Sequence, residues 1–99
     1  MLPNTISLFE ETRTISTQRG QQNLTRQQFA IVQEMCGGTA GQRVVSFKDL
    51  EAALWTEKAR PKNHSVIVRT QISTLRKLVA PLGLQIKNVR SGGYYFDIL

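Results

Sequence analysis

The stretch SVIVRTQISTLRKLVAPL, residues 65–82, constrains the fold more than any other part of the chain. At about 100° per residue, Val68, Ile72, Leu75 and Val79 fall in one narrow apolar stripe, and Ile67 and Leu78 widen it on one side. The spacing predicts an amphipathic helix over 65–80, stopped by Pro81 and Gly83. Opposite the stripe stand Thr70, Ser73, Thr74 and Lys77, with Arg69 and Arg76 on the remaining flank. No acid interrupts that outer face. A helix side that only meets solvent usually mixes both signs of charge. This one is cationic and rich in hydroxyls, a combination that pairs with phosphates and reads the edges of bases.

Charge along the whole chain agrees with that reading. The formal net charge is +6. Residues 58–96 contain Lys58, Arg60, Lys62, Arg69, Arg76, Lys77, Lys87 and Arg90 and not one of the seven acids. A surface charged only for solubility intersperses the signs. Complete segregation instead places a positive field on the C-terminal part, as a polyanionic partner requires.

The 99 residues suffice for one domain with a modest core, expected over 1–99. No apolar run approaches the roughly 20 residues of a bilayer span. The start, MLPNTISLFEE, lacks the basic and apolar regions of a secretory signal. The single cysteine, Cys36, has no internal disulfide partner, so a reducing, cytoplasmic setting is expected. With no second thiol or His cluster, Cys36 reads as a small apolar residue at a helix end, and no metal or cofactor is expected.

Residues 4–24 read as a small antiparallel sheet of three or four short strands, with Ile6, Leu8 and Ile15 among polar, β-favouring neighbours and a turn at Arg19-Gly20. Thr25 and Gln28 match a capping box, opening a helix over 26–36 that buries Phe29, Val32 and Cys36, flanked by Ile31 and Met35, and ends at Gly37-Gly38. Residues 39–43 read as a loop and Val44-Val45 as a short strand or extended link. Ser46 and Asp49 form a second capping signal, for a helix over 47–55 with Leu50, Ala53 and Leu54 on its buried edge. Trp55 is expected to anchor the core from that helix end. Residues 56–64 form a polar connector broken by Pro61, with Asn63 or Ser65 as cap for the next helix. His64 reads as an exposed loop residue, with a phosphate contact as the alternative. Residues 84–99 read as a β-hairpin turning at 91–93. Val89 falls out of phase with Leu84 and Ile86, which predicts a bend or bulge near Asn88.

Sheet, three helices and hairpin in that order is an α+β winged helix-turn-helix: N-terminal sheet 4–24, three-helix core 25–82, wing 84–99. The third helix would enter the major groove of a duplex and an arginine at the wing tip the minor groove. Four segments carry a family resemblance: LTRQQF (24–29), GQRVVSFKDLEAALW (41–55), VRTQISTLRKL (68–78) and IKNVRSGGYYF (86–96). In this order and spacing the chain resembles the OmpR/PhoB-type winged-helix effector domain of bacterial response regulators and other transcription regulators. The resemblance implies a four-stranded N-terminal sheet, three helices and a C-terminal hairpin, and sequence-specific binding of double-stranded DNA, often as head-to-tail pairs on repeats. Carried over by position, the DNA-facing residues are Arg69, Thr70, Gln71, Ser73, Thr74, Arg76 and Lys77 on the helix and Asn88 and Arg90 on the wing. Residues 56–64 correspond to the loop through which members often meet RNA polymerase. The chain departs from the family pattern at Gln28 and Arg69, where an acid is common, and at Thr74, where a basic residue is common. The base contacts of other members therefore do not transfer, and the target sequence stays open.

A receiver domain of the kind usual in the family is not among these residues. An excised effector domain, a stand-alone regulator and the cytoplasmic end of a membrane-anchored one all remain open. The alternative function is a winged helix whose basic face docks an acidic protein, since fold alone does not fix function. Catalysis is not expected. No Ser/His/Asp set, P-loop, metal-ligand spacing or paired carboxylates occur in the basic half, and no small-molecule substrate is implied.

Overall fold

The computed structural model describes residues 6–36, 44–90 and 92–98. Three short strands open the fold: β1 (Ser7–Phe9), β2 (Thr14–Thr17) and β3 (Gly20–Asn23), antiparallel in the order β1-β2-β3. Leu8 faces Ile15 and Ile15 faces Gln22. Ile15, the lone apolar residue among threonines, is fully buried and pins the sheet to the core. The Thr17 hydroxyl donates to the Leu82 carbonyl at 2.8 Å, tying this sheet to the far end of the third helix. The family resemblance implies four strands here; three lie among the described residues.

The first helix, α1 (Arg26–Cys36), begins where the sequence places it. Thr25 N–H donates to Gln28 Oε1 at 3.0 Å and Gln28 N–H to Thr25 Oγ1 at 3.2 Å, the reciprocal bonds of a capping box. Phe29, Ile31, Val32 and Met35 are buried, and Cys36 is partly so. The expected stop at Gly37-Gly38 and the loop at 39–43 lie outside the described residues.

Burial pushes the Cys36 thiol up from 9.0 to about 11, because the thiolate would lose its hydration. The folded chain thus keeps a proton that the unfolded chain has released. The stabilisation is complete below pH 9.0 and is lost as pH rises through about 11. At pH 8, alkylation of native Cys36 by iodoacetamide should run at least about tenfold slower than in urea, because the thiolate is the nucleophile. Equal rates in the two states would contradict this placement.

A two-residue strand, β4 (Val45–Ser46), leads into α2 (Phe47–Leu54). Ser46 and Asp49 close the second expected capping box, each backbone N–H donating to the other's side chain at 3.1 Å. The helix ends one residue earlier than its spacing suggests. Trp55 is its extended C-cap, partly buried against the core as expected, with its N–H bonded to the Glu51 carbonyl at 2.9 Å. The connector contains one turn of 3-10 helix, Glu57–Ala59, capped by the Thr56 hydroxyl.

The third helix, α3 (His64–Val79), starts and stops one residue before the expected span. Of the two expected caps, Asn63 holds the N-cap position, but its backbone is not extended and its side chain makes no capping bond, while Ser65 lies inside the helix. The Pro61 carbonyl instead accepts the His64 N–H at 3.1 Å. Val68, Ile72, Leu75 and Val79 are buried, as the period predicts, and Ile67 and Leu78 are half-buried at the edge. At about 1.5–3 kcal/mol for each fully buried side chain, this stripe is a main reason the segment holds its helical form. A 3-10 turn, Ala80–Leu82, and left-handed Gly83 at φ 83° end it.

The chain closes with β5 (Leu84–Val89) and β6 (Gly93–Ile98), an antiparallel hairpin. Its register runs regularly from Leu84 opposite Ile98 to Val89 opposite Gly93, so the expected bulge near Asn88 does not occur. Val89 is out of phase because it serves another contact. It lies beside the space that Gly93 leaves open, where an added Cβ would come within 3.2 Å of Val89 Cγ2. The same Cβ would meet the Val45 carbonyl oxygen at 2.9 Å. Glycine at 93 thus lets β4 pair with β6 and makes the wing a three-stranded sheet, β4-β6-β5. Among the described residues one cluster of buried side chains draws on the first sheet, all three helices and the wing.

Candidate nucleic-acid interface

Because the apolar stripe fixes α3 against the core, the residues opposite it must face outward. Arg69, Thr70, Ser73, Thr74, Arg76 and Lys77 are all exposed on this helix. On the wing, Asn88 and Arg90 are exposed as well.

Two of these cations are oriented by neighbours. The Arg69 guanidinium lies over the Phe47 ring, 5.9 Å from its centroid, which steadies it against the start of α2. Arg76 reaches the wing: its Nε donates to the Ile86 carbonyl at 3.2 Å and its guanidinium also donates to Asn88 Oδ1. Arg76 and Asn88 therefore act together. They lock the wing strand β5 to the outer flank of α3 and hold two cationic elements in one orientation.

Gln71 sits differently from the rest. It is half-buried, accepts from Gln28 Nε2 at 3.2 Å, and donates to Gln27 Oε1 at 3.0 Å. Its amide is engaged with α1, in a chain of side-chain amides that also satisfies buried Gln28. A departure from the family pattern at 28 is thus accommodated by an amide partner across the helix pair.

His64 is not the exposed loop residue that the sequence suggests. It is the first residue of α3, half-buried, and its Nδ1 donates to Glu51 Oε2. Glu51 is only 5% exposed. Sequence reasoning passed over it because it adjoins Leu50 without carrying the helical period, and its partner lies 13 positions away in the chain. The pair fastens α2 to the first turn of α3.

The wing's cationic character is also weaker than the sequence count suggests. Lys87 meets Asp97 at 3.1 Å across the hairpin, and the hydrogen bond and charge of Asp97 hold the lysine proton more firmly than usual. Asp97 lies one residue beyond the acid-free segment, so a linear tally misses it.

Three helices over a small sheet, with the third exposing its polar face beside a hairpin, define a winged helix-turn-helix protein. The chain belongs to the family described as "Transcriptional regulatory protein, C terminal", whose model matches residues 19–96. This is a family of DNA-binding regulatory domains of OmpR/PhoB type, and not a family of enzymes. No curated protein and no solved structure matches the chain significantly. Among the described residues, no helix is long and apolar enough to cross a membrane.

Proposed function

We propose that residues 1–99 form one sequence-specific binding unit for double-stranded DNA, with α3 in the major groove and Arg90 of the wing in the minor groove. The supporting observation is the exposed, acid-free face of α3 joined through Arg76 and Asn88 to a hairpin that carries a further exposed arginine, Arg90. Such a surface meets phosphate at several points, while the hydroxyls of Thr70, Ser73 and Thr74 stand where base edges would lie. Gln71 is assigned a supporting part, since its amide is used by α1. The resemblance to OmpR/PhoB-type regulators supports head-to-tail pairing on repeated half-sites and contact of the 56–64 connector with RNA polymerase, in a cytoplasmic, nucleoid-bound setting. The exposure of Lys58, Arg60 and Lys62 is consistent with such a connector.

Selection of bound duplexes from a randomised pool tests the assignment directly. Wild-type protein should enrich a defined sequence. Thr70→Ala should change the preference at one position, worth about 1–3 kcal/mol for a direct base contact. Lys77→Ala should weaken all duplexes alike, as loss of a phosphate contact does. The competing reading, a basic face that docks an acidic protein, requires the opposite pattern. Substitutions at Arg69, Arg76 and Arg90 would leave duplex retention unchanged and abolish capture of the protein partner. The second cationic element beside α3 favours the duplex, whose two grooves present matching sites.

A further inference from the structure

Val66 has no role in the fold described above. It is 58% exposed, one of three large apolar side chains left on the surface among the described residues, with Phe9 and Val44. It is also the third residue of α3. At about 100° per residue it lies within about 20° of Ser73 and Lys77 around the helix, and about 40° from Thr70. The buried stripe of Val68, Ile72, Leu75 and Val79 occupies the opposite side. An apolar residue therefore stands in the middle of the hydroxylated, cationic face, at its N-terminal end. Nothing local calls for valine there, since β-branched residues are weaker helix formers than alanine or the long polar residues.

We infer that Val66 is a specificity-determining residue that packs against the 5-methyl group of a thymine in the major groove. The inference rests on the DNA-binding reading above. A recognition helix presents its N-terminal residues to base edges, and the thymine methyl is the one apolar feature of the major-groove edge. Three properties suit Val66 to that contact. Its side chain carries two methyl groups and holds one strongly preferred rotamer in a helix, so little freedom is lost on binding. The turn that carries it is fastened by His64 to buried Glu51. Flanking Arg69 and Lys77 supply the charge that brings a polyanion to this face.

The test uses duplexes selected by the wild-type protein, with each thymine replaced singly by uracil, which removes only the methyl group. At one position, uracil should weaken wild-type binding about fourfold, the value of one buried methyl-sized group. Val66→Ala should weaken binding to the thymine duplex by a similar factor, and uracil at that position should then cost nothing more. Val66→Thr, which keeps one methyl, should retain part of the uracil penalty. Uracil tolerated at every position, or a penalty that persists unchanged in Val66→Ala, would overturn the inference while leaving DNA binding intact. Failure to select any duplex would remove the DNA-binding reading itself, and the inference with it. Helix content of Val66→Ala should equal wild type, because the side chain is mostly exposed and alanine favours the helix at least as well as valine.

Discussion

Raising monovalent salt from about 50 to about 200 mM is expected to weaken duplex binding by on the order of 10²–10³-fold. The estimate comes from counting cations that the fold leaves available. Arg69, Lys77 and Arg90 are exposed on α3 and the wing and are counted in full, and of the exposed connector cations Lys58, Arg60 and Lys62 one or two are counted as meeting phosphate. Lys87 is discounted because Asp97 already answers its charge at 3.1 Å. Arg76 is discounted in part, since the Ile86 carbonyl and Asn88 hold its guanidinium. Four or five phosphates neutralised, at a slope of about −0.9 each in log affinity against log salt, give that range over a fourfold change in salt. Fluorescence anisotropy with a labelled selected duplex would measure it. Lys77→Ala should reduce the slope by about one, and Lys87→Ala by clearly less. A flat salt dependence would refute phosphate-driven binding whatever the helix geometry, and equal effects of the two lysines would refute the discount given to Asp97.

The features that drive this expectation differ in how far the sequence revealed them. The buried and exposed faces of α3 followed from the helical period, because one amphipathic helix carries its own burial pattern. The starts of α1 and α2 followed from Thr25/Gln28 and Ser46/Asp49, because a capping box closes within four residues. What escaped depends on partners distant in the chain. β4 pairs with β6 only because Gly93 lets the backbones approach, and the same glycine explains why Val89 breaks the alternation without a bulge. Arg76 looked like an outward reader by helical angle, and Gln71 by its position in the family pattern. Angle alone does not say that β5 stands within reach of one and α1 within reach of the other. Asn63 has a favourable capping residue type but the wrong backbone angles, a case where propensity yields to the path the connector must take.

Replacing His64 with alanine should destabilise the fold by about 2–3 kcal/mol, although the residue contributes little apolar burial. The Glu51 side chain is 6% exposed and His64 donates to its carboxylate. Stranding a fully buried charge costs about 3–5 kcal/mol. The half-buried imidazole leaves water a path once it is gone, which lowers the figure here. Glu51→Leu should cost less than His64→Ala, because it removes the buried carboxylate and leaves behind only a ring that solvent already reaches. The double variant Glu51→Leu/His64→Leu should fall within about 1 kcal/mol of wild type, since an apolar pair of similar volume needs no hydrogen bond. Urea denaturation of the four proteins separates the lost contact from the stranded charge. If His64→Ala and Glu51→Leu shifted the midpoint equally, the charge argument would fail and only packing would remain. The pair also fixes the first turn of α3, which carries Val66. His64→Ala should therefore bind the selected duplex more weakly even where it is fully folded, whereas the double leucine variant, with the turn repacked, should recover most of that loss.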